Sequence, residues 1–418
     1  MRTRFIITGV LLCTHLAIQP IDAHADSLKE VMDTAAREHP ELQMAEQQVN
    51  AARGNLDEQG AYAYNPELSL EPQRRRLNGG GTSNDYYITL SQGIETGGKR
   101  GLREQSAQDA LNVARHSQAF VRQQLVVKAA RAYVTLYFAS HAFELRRQQS
   151  GMLEKVSHAV DRKLALGESS QLDANLAQSA LASALNATAV ARQNLTQAKQ
   201  GYLIALGKVK SDVSLSKLTL PDLDTGWQPP TKAYETALAS RPDFAALRAK
   251  QAQFDARADL ASAARIPDVS FSAMAGREAG EQLIKLGITV PLPVLNSHRG
   301  AYRAALAEKE RVNTGLAWSK QQLRYAVQSV LDNHANAMRA LSTMEKTGMR
   351  QSAQDTITLA QKAYDAGELD LEELVVHIRQ GLDARMTALD IMKQGWLARI
   401  RLAEVLGHPE YILKGIQS

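Results

Sequence analysis

Cysteine occurs once in the 418 residues, at Cys13. It lies inside a leading segment that reads as removable, so the rest of the chain has neither a disulfide framework nor a thiolate metal site. Proline (12 residues) and aromatics (5%) are sparse, which argues against a compact sheet-rich enzyme and suits long close-packed helices. An excess of one charge sign is lacking too: 49 Lys and Arg against 44 Asp and Glu leave a formal +5, too mild for nucleic-acid binding. After Asp26 no stretch approaches the ~18 uninterrupted apolar residues of a membrane-spanning helix; Leu125-Val126-Val127 is ended at once by Lys128. The remaining way across a membrane is a closed β-barrel, because lipid satisfies backbone polar groups in no other fold. No HExxH, P-loop, GxSxG or GxGxxG motif occurs, and no two histidines beyond the leading segment stand at i, i+3 or i, i+4. Neither catalysis nor a cofactor nor a resident metal is expected.

The leading segment has the build of an export signal. Arg2 and Arg4 precede an apolar run from Phe5 to Ile18, Pro20 breaks it, and Ala23-His24-Ala25 supplies a small-x-small cleavage site. Residues 1–25 are therefore expected to be a signal peptide cut after Ala25. Acylation of Cys13 is the competing reading, but Leu12 stands where that processing wants a small residue.

The remainder is duplicated at an offset of about 200 residues. His39-Pro40-Glu41-Leu42 matches Arg241-Pro242-Asp243-Phe244, Pro66-Glu67-Leu68-Ser69 matches Pro267-Asp268-Val269-Ser270, and Lys99-Arg100-Gly101 is set against His298-Arg299-Gly300. Leu166-Gly167-Glu168 and Ala366-Gly367-Glu368 follow, then Ala205-Leu206-Gly207 and Val405-Leu406-Gly407. The first repeat spans 26–218 and the second 219–418. Each is expected to hold a helix (about Leu28 to Ala63; about Lys232 to Ala264), an extended hairpin (about 66–94; about 267–291) and a very long helical pair.

Three of the four extended segments alternate cleanly. Tyr86, Ile88 and Leu90 oppose Tyr87, Thr89 and Ser91; Val269, Phe271 and Ala273 oppose Ser270 and Ser272; Ile284, Leu286, Ile288 and Val290 oppose Lys285, Gly287 and Thr289. The segment with Pro72 and Arg74-Arg75-Arg76 is the least regular. The hairpins could be half-buried sheet of a soluble protein, but segments of about ten residues also suit tilted membrane strands. The polar turn from Leu77 to Asn84 suits an external loop. Four strands cannot close a barrel, whose known minimum is 8, so a barrel would require a dimer or trimer.

In the long helices Leu125, Ala129, Ala132, Leu136, Ala139 and Phe143 form a coiled-coil seam, repeated by Leu323, Val327, Val330, His334, Ala337 and Leu341. His334 replaces an apolar seam residue, either lining a pore or marking register. An ordinary antiparallel coiled-coil bundle would leave the hairpins and the duplication without a purpose.

Three sets of residues carry a resemblance: Asn65-Pro66-Glu67-Leu68-Ser69-Leu70 opening the first hairpin, Leu90-Ser91-Gln92-Gly93-Ile94-Glu95-Thr96-Gly97-Gly98-Lys99-Arg100 leaving it, and the Gly-Glu turns at Gly167 and Gly367. In these the chain resembles the TolC-like outer-membrane efflux channels and, within them, the CzcC-type branch that serves heavy-metal efflux pumps. The resemblance implies a mainly α protein with a membrane β-barrel part. A homotrimer would form a 12-stranded outer-membrane β-barrel continued by a periplasmic α-helical barrel. It further implies a periplasmic adaptor and an inner-membrane resistance-nodulation-division pump as partners, outer-membrane lipid around the barrel, and export of divalent cations such as cobalt, zinc, cadmium or nickel. A channel for organic solutes and a soluble periplasmic coiled-coil adaptor remain as alternatives.

The same resemblance gives roles to the two turns. Leu166, Gly167, Glu168, Ala366, Gly367 and Glu368 would be the tips where the adaptor docks, and Asp370, Glu372, Glu373 and Asp173 would line the periplasmic aperture. Both halves keep an acid six residues after the glycine, at Asp173 and Glu373. The competing reading is a solvated helix start favoured by the macrodipole. Val376 stands where the family often has a further aspartate.

Overall fold

The computed structural model describes residues 27–76, 79–208 and 214–414. The expected signal peptide (1–25) and Leu77 and Asn78 of the expected external turn lie outside the described residues.

Each repeat begins with a broken helix rather than a continuous one. In the first, α1 (Leu28–Glu38) and α2 (Pro40–Gly60) are separated by His39, whose backbone is extended at φ −68° and ψ 133°. A residue before proline is barred from the helical region, and Pro40 then opens the new helix where its missing N–H is not needed. In the second, Arg241 and Pro242 repeat the break between α5 (Ala233–Ser240) and α6 (Pro242–Ala263). The expected single helices are thus corrected: the duplicated His-Pro and Arg-Pro matches mark a duplicated kink.

All four extended segments form. β1 (Glu67–Arg76), β2 (Thr82–Ile94), β3 (Val269–Glu278) and β4 (Glu281–Thr289) make one antiparallel sheet in the order β1-β2-β3-β4. The pairings Leu70↔Ile88, Ile88↔Ala275 and Ala275↔Ile284 run along one face, which also carries Leu68, Leu90, Phe271, Leu286 and Ile288. That face is left open, with Leu286 82% and Ile284 81% exposed. The other face carries Ser91, Ser270, Ser272, Thr89 and Lys285. Arg75 is drawn to it as well, pairing with Asp85 at 3.2 Å and Glu278 at 3.1 Å. A sheet apolar on one exposed face and polar on the other, with β1 and β4 unpaired at its edges, has the pattern of a barrel segment facing lipid outward and water inward.

The helices are long. α3 runs unbroken from Lys99 to Ala165, about 100 Å at 1.5 Å per residue, and returns as α4 (Gln171–Ala205). Its counterpart is interrupted: α7 (Arg299–Lys346) and α8 (Met349–Asp365) flank Gly348 at φ +60°, before the return in α9 (Leu371–Leu406). The left-handed conformation is cheap only for glycine, so Gly348 sets a break that the first repeat lacks. The seam residues Leu125, Ala129, Leu136, Leu323, Val327, Val330 and Leu341 are buried, although Met338 rather than Ala337 takes the buried place after His334. The main core joins α1, α3, α4, α7 and α9, with Tyr133 donating its hydroxyl to the Thr219 carbonyl at 2.7 Å. Among the described residues no helix is long and apolar enough to cross a membrane.

Candidate functional site

The expected tips are two copies of one helical turn. After α3, Glu168 N–H donates to the Lys163 carbonyl at 2.8 Å and Gly167 N–H to that of Leu164 at 3.0 Å, with Gly167 at φ +77°. After α8, Glu368 donates to Ala363 at 2.8 Å and Gly367 to Tyr364 at 3.0 Å, with Gly367 at φ +78°. Both are six-to-one, five-to-two closures around a left-handed glycine.

The acids expected at the aperture divide into two kinds. Asp370 accepts from Glu373 N–H at 2.8 Å while the Glu373 carboxylate accepts from Asp370 N–H at 3.2 Å. In the first turn Ser170 accepts from Asp173 N–H at 3.1 Å and Asp173 accepts from Ser170 N–H at 3.0 Å and from the Ser169 hydroxyl at 3.0 Å. These are reciprocal capping boxes, and they explain why an acid recurs six residues after each glycine. The hydrogen bonds from the Ser170 backbone, the Ser170 side chain and the Ser169 hydroxyl hold the Asp173 carboxyl below its usual range. Glu372, Glu368 and Asp365 are instead exposed, and none of their carboxylates takes part in a hydrogen bond or ion pair among the described residues.

The two turns sit side by side at one end of the helices. Ala174, Ala177, Leu371, Leu374 and Val375 share a buried cluster that also holds Val156 and Val160, and the Lys163 ammonium lies 5.4 Å from the Tyr364 ring centroid. The turns differ in chemistry. Leu166 and Leu172 are 74% and 76% exposed on the first, where the second has Ala366 and Glu372. Beside the glutamate that both turns share, Glu168 and Glu368, the first adds a greasy knob and the second further carboxylates.

His334 faces no lumen. It is 2% exposed, and its Nε2 accepts from Arg399 Nε at 3.1 Å. Arg399, fully buried, also donates to the Lys414 carbonyl at 2.8 Å and the Asp224 carbonyl at 3.3 Å and lies 4.0 Å over the Trp227 ring. Burial first, and the Arg399 charge second, push the His334 pKa down to about 4, while burial lowers Arg399 to about 10. The imidazole is therefore neutral at pH 7, as its acceptor role requires. Of the two readings of this seam histidine, the pore-lining one falls; with Arg399 it ties α7 to α9 and to the segment around Asp224 and Trp227 that opens the second repeat.

At the opposite end, the Glu-Thr-Gly-Gly-Lys-Arg stretch builds the joint between sheet and helices. Lys99, 9% exposed, donates from Nζ to Asp268 Oδ1 at 2.7 Å and to the Ile266 carbonyl at 2.6 Å. Thr96 N–H and the Tyr64 hydroxyl also donate to the Asp268 carboxylate, at 2.9 and 2.8 Å. Arg103 pairs with Glu95 at 2.7 Å. Sequence reasoning missed these bonds, whose one legible trace is the repeated Pro-acid dipeptide, Pro66-Glu67 and Pro267-Asp268. The structure also shifts one repeat match: the left-handed N-caps are Gly98 and His298, at φ +72° and +54°, so Lys99 corresponds to Arg299 and not to His298. Among the described residues no three His, Cys, Asp or Glu side chains are grouped to hold a metal ion.

A duplicated chain whose half-apolar sheet leads into helices turned at one far end has the architecture of one protomer of an outer-membrane channel. The sequence profile of the outer membrane efflux protein family matches residues 31–208 and 233–408, one match to each repeat. The chain belongs to that family, and it is an outer-membrane efflux channel protein, not an enzyme. It is 22% identical to the cobalt-zinc-cadmium resistance protein CzcC of Cupriavidus metallidurans over 383 residues, 91% of this chain and 90% of that one. Its fold is similar to that of the Campylobacter jejuni CmeC outer membrane channel, with a TM-score of 0.78 at 16% identity, covering 91% of this chain and 85% of that one. It is also similar to the transmembrane channel protein CusC, with a TM-score of 0.73 at 18% identity and 93% of each chain covered. The TolC-like, duplicated fold expected from the sequence is the one observed.

Proposed function

We propose that the chain is exported by cleavage after Ala25 and assembles as a homotrimer whose sheets close a 12-stranded outer-membrane barrel. Its helices form the periplasmic duct of a tripartite system completed by an adaptor and a resistance-nodulation-division pump. The cargo is divalent heavy-metal cations: cobalt, zinc, cadmium or nickel. The observation that carries the cargo is the likeness to CzcC, which extends over nine-tenths of both chains. The exposed carboxylates of the second turn agree with it, since threefold repetition would set them around one axis, where a ring of anions attracts cations. Leu166, Gly167 and Glu168, with Ala366, Gly367 and Glu368, form the adaptor-docking tips. Glu372 and Glu368 serve at the aperture directly, while Asp370, Glu373 and Asp173 hold its backbone. Selection among metals then belongs to the pump and adaptor.

The test is the cellular content of cobalt, nickel, zinc and cadmium in a deletion strain and its complemented parent, after sublethal exposure to each. Accumulation of particular metals, reversed by complementation, is expected. Equal contents with the partner pump expressed would reject a metal cargo and favour organic solutes.

A further inference from the structure

The joint between Lys99 and Asp268 lies between the two repeats, so the duplication contains a second set of the same groups that the single chain leaves apart. β1 maps onto β3 at an offset of 201, Glu67 onto Asp268, and β2 onto β4 at 200, Gly98 onto His298. These offsets are consistent with the strand registers, because they carry the pair Leu70↔Ile88 onto Phe271↔Ile288, which is the pairing observed. Applied to the β2–β3 contact, they place β4 beside β1, the two edges that lie at opposite ends of the sheet. Within one chain these edges do not meet, so the partner is a second copy. The observed pair Thr89↔Met274 becomes Thr289 opposite the partner subunit's Gln73, and Ile94↔Val269 becomes Val294 opposite the partner subunit's Leu68. Val294 and Leu68 are 82% and 66% exposed, as apolar residues awaiting cover would be.

The joint follows the strands. Lys99 maps onto Arg299 and Asp268 onto Glu67, both exposed and neither in an ion pair among the described residues. Closure of the barrel in the proposed homotrimer would join β4 to the neighbouring copy's β1; we propose that the joint takes this register, and that Arg299 clamps the partner subunit's Glu67 at the foot of the barrel, repeating between chains the bond that Lys99 and Asp268 make within one. An in-line guanidinium and carboxylate provide the charge-assisted hydrogen bonds that fix such a joint. The inference rests on the homotrimer proposed above.

The test uses the full chain in detergent with Cys13→Ser. Gln73→Cys combined with Thr289→Cys is expected to form intermolecular disulfides on mild oxidation, at least fivefold more than Arg75→Cys with Thr289→Cys, which is slipped by two residues. Glu67→Arg should lower the temperature at which the trimer separates into monomers, and adding Arg299→Glu should restore most of the loss. A particle that light scattering shows to be trimeric but that cross-links equally or better in the slipped pair overturns the register. A charge-reversed double variant no better than the worse single variant overturns the clamp. If the parent chain is monomeric, the trimer falls and this inference with it.

Discussion

Asp370 has two capacities, a helix cap and, in the proposed trimer, an anion near the entrance, and substitution separates them. Its carboxylate accepts from Glu373 N–H, a bond that an asparagine side chain also makes well whereas alanine cannot. Asp370→Ala is expected to cost about 1 kcal/mol and Asp370→Asn only a few tenths, as read by thermal unfolding followed by circular dichroism. Equal losses for both would mean that charge, not the cap, holds the turn. His334 permits a pH test. A free imidazole takes its proton near 6.5, but burial and Arg399 hold this one to about 4. The unfolded chain therefore binds more protons between these values, so stability is full above pH 6.5 and declines as the pH falls toward 4, by about 3 kcal/mol at most. His334→Gln keeps an acceptor for Arg399 without a titrating group, and the decline over that window should shrink. A variant whose unfolding follows the same pH curve as its parent would show that other groups set it.

At the scale of elements, the two repeats differ most at Gly348. α3 passes straight through Gly151, whereas α7 stops and α8 restarts around Gly348 at φ +60°. The same replacement should act in opposite directions. Gly348→Ala forces a Cβ into the left-handed region and is expected to destabilise by about 1 kcal/mol, while Gly151→Ala, in a helix interior with open space around it, should stabilise by about 0.5 kcal/mol. Loss of stability in both would place Gly151 against a neighbour that the single chain does not contain. Why one glycine breaks its helix was not legible in the sequence, because glycine permits both conformations and packing chooses. The kinks at His39-Pro40 and Arg241-Pro242 were legible in principle, since proline constrains its predecessor locally. Period-two alternation located β2, β3 and β4, and β1 followed from its repeat partner despite Pro72 and three arginines. The acids of the turns were visible as a recurrence, and the capping-box spacing of Ser170 to Asp173 and Asp370 to Glu373 was there to be read. The Arg399–His334 and Lys99–Asp268 contacts were not, because they join residues 65 and 169 positions apart, a separation that local pattern does not encode.

For the whole molecule, the proposed threefold axis would act on charges that one chain merely exposes. A single carboxylate in water acts over a Debye length of about 8 Å at physiological ionic strength, and alone it selects nothing. In the proposed homotrimer, three copies of Glu368 and Glu372 around a narrow opening would overlap their fields, enriching cations and excluding anions. Because Asp370 and Glu373 are committed to the cap, neutralising them would confound charge with backbone geometry, and the cleaner variant is Glu368→Gln with Glu372→Gln. In a planar bilayer this variant is expected to reduce the cation-over-anion permeability ratio at least twofold at 0.1 M salt, with unfolding temperature unchanged. The difference from the parent should fade at 1 M, where the Debye length shrinks to about 3 Å. A ratio unaltered at low salt would remove these side chains from the aperture and assign ion preference to the polar face of the sheet, where Arg75, Asp85 and Glu278 meet.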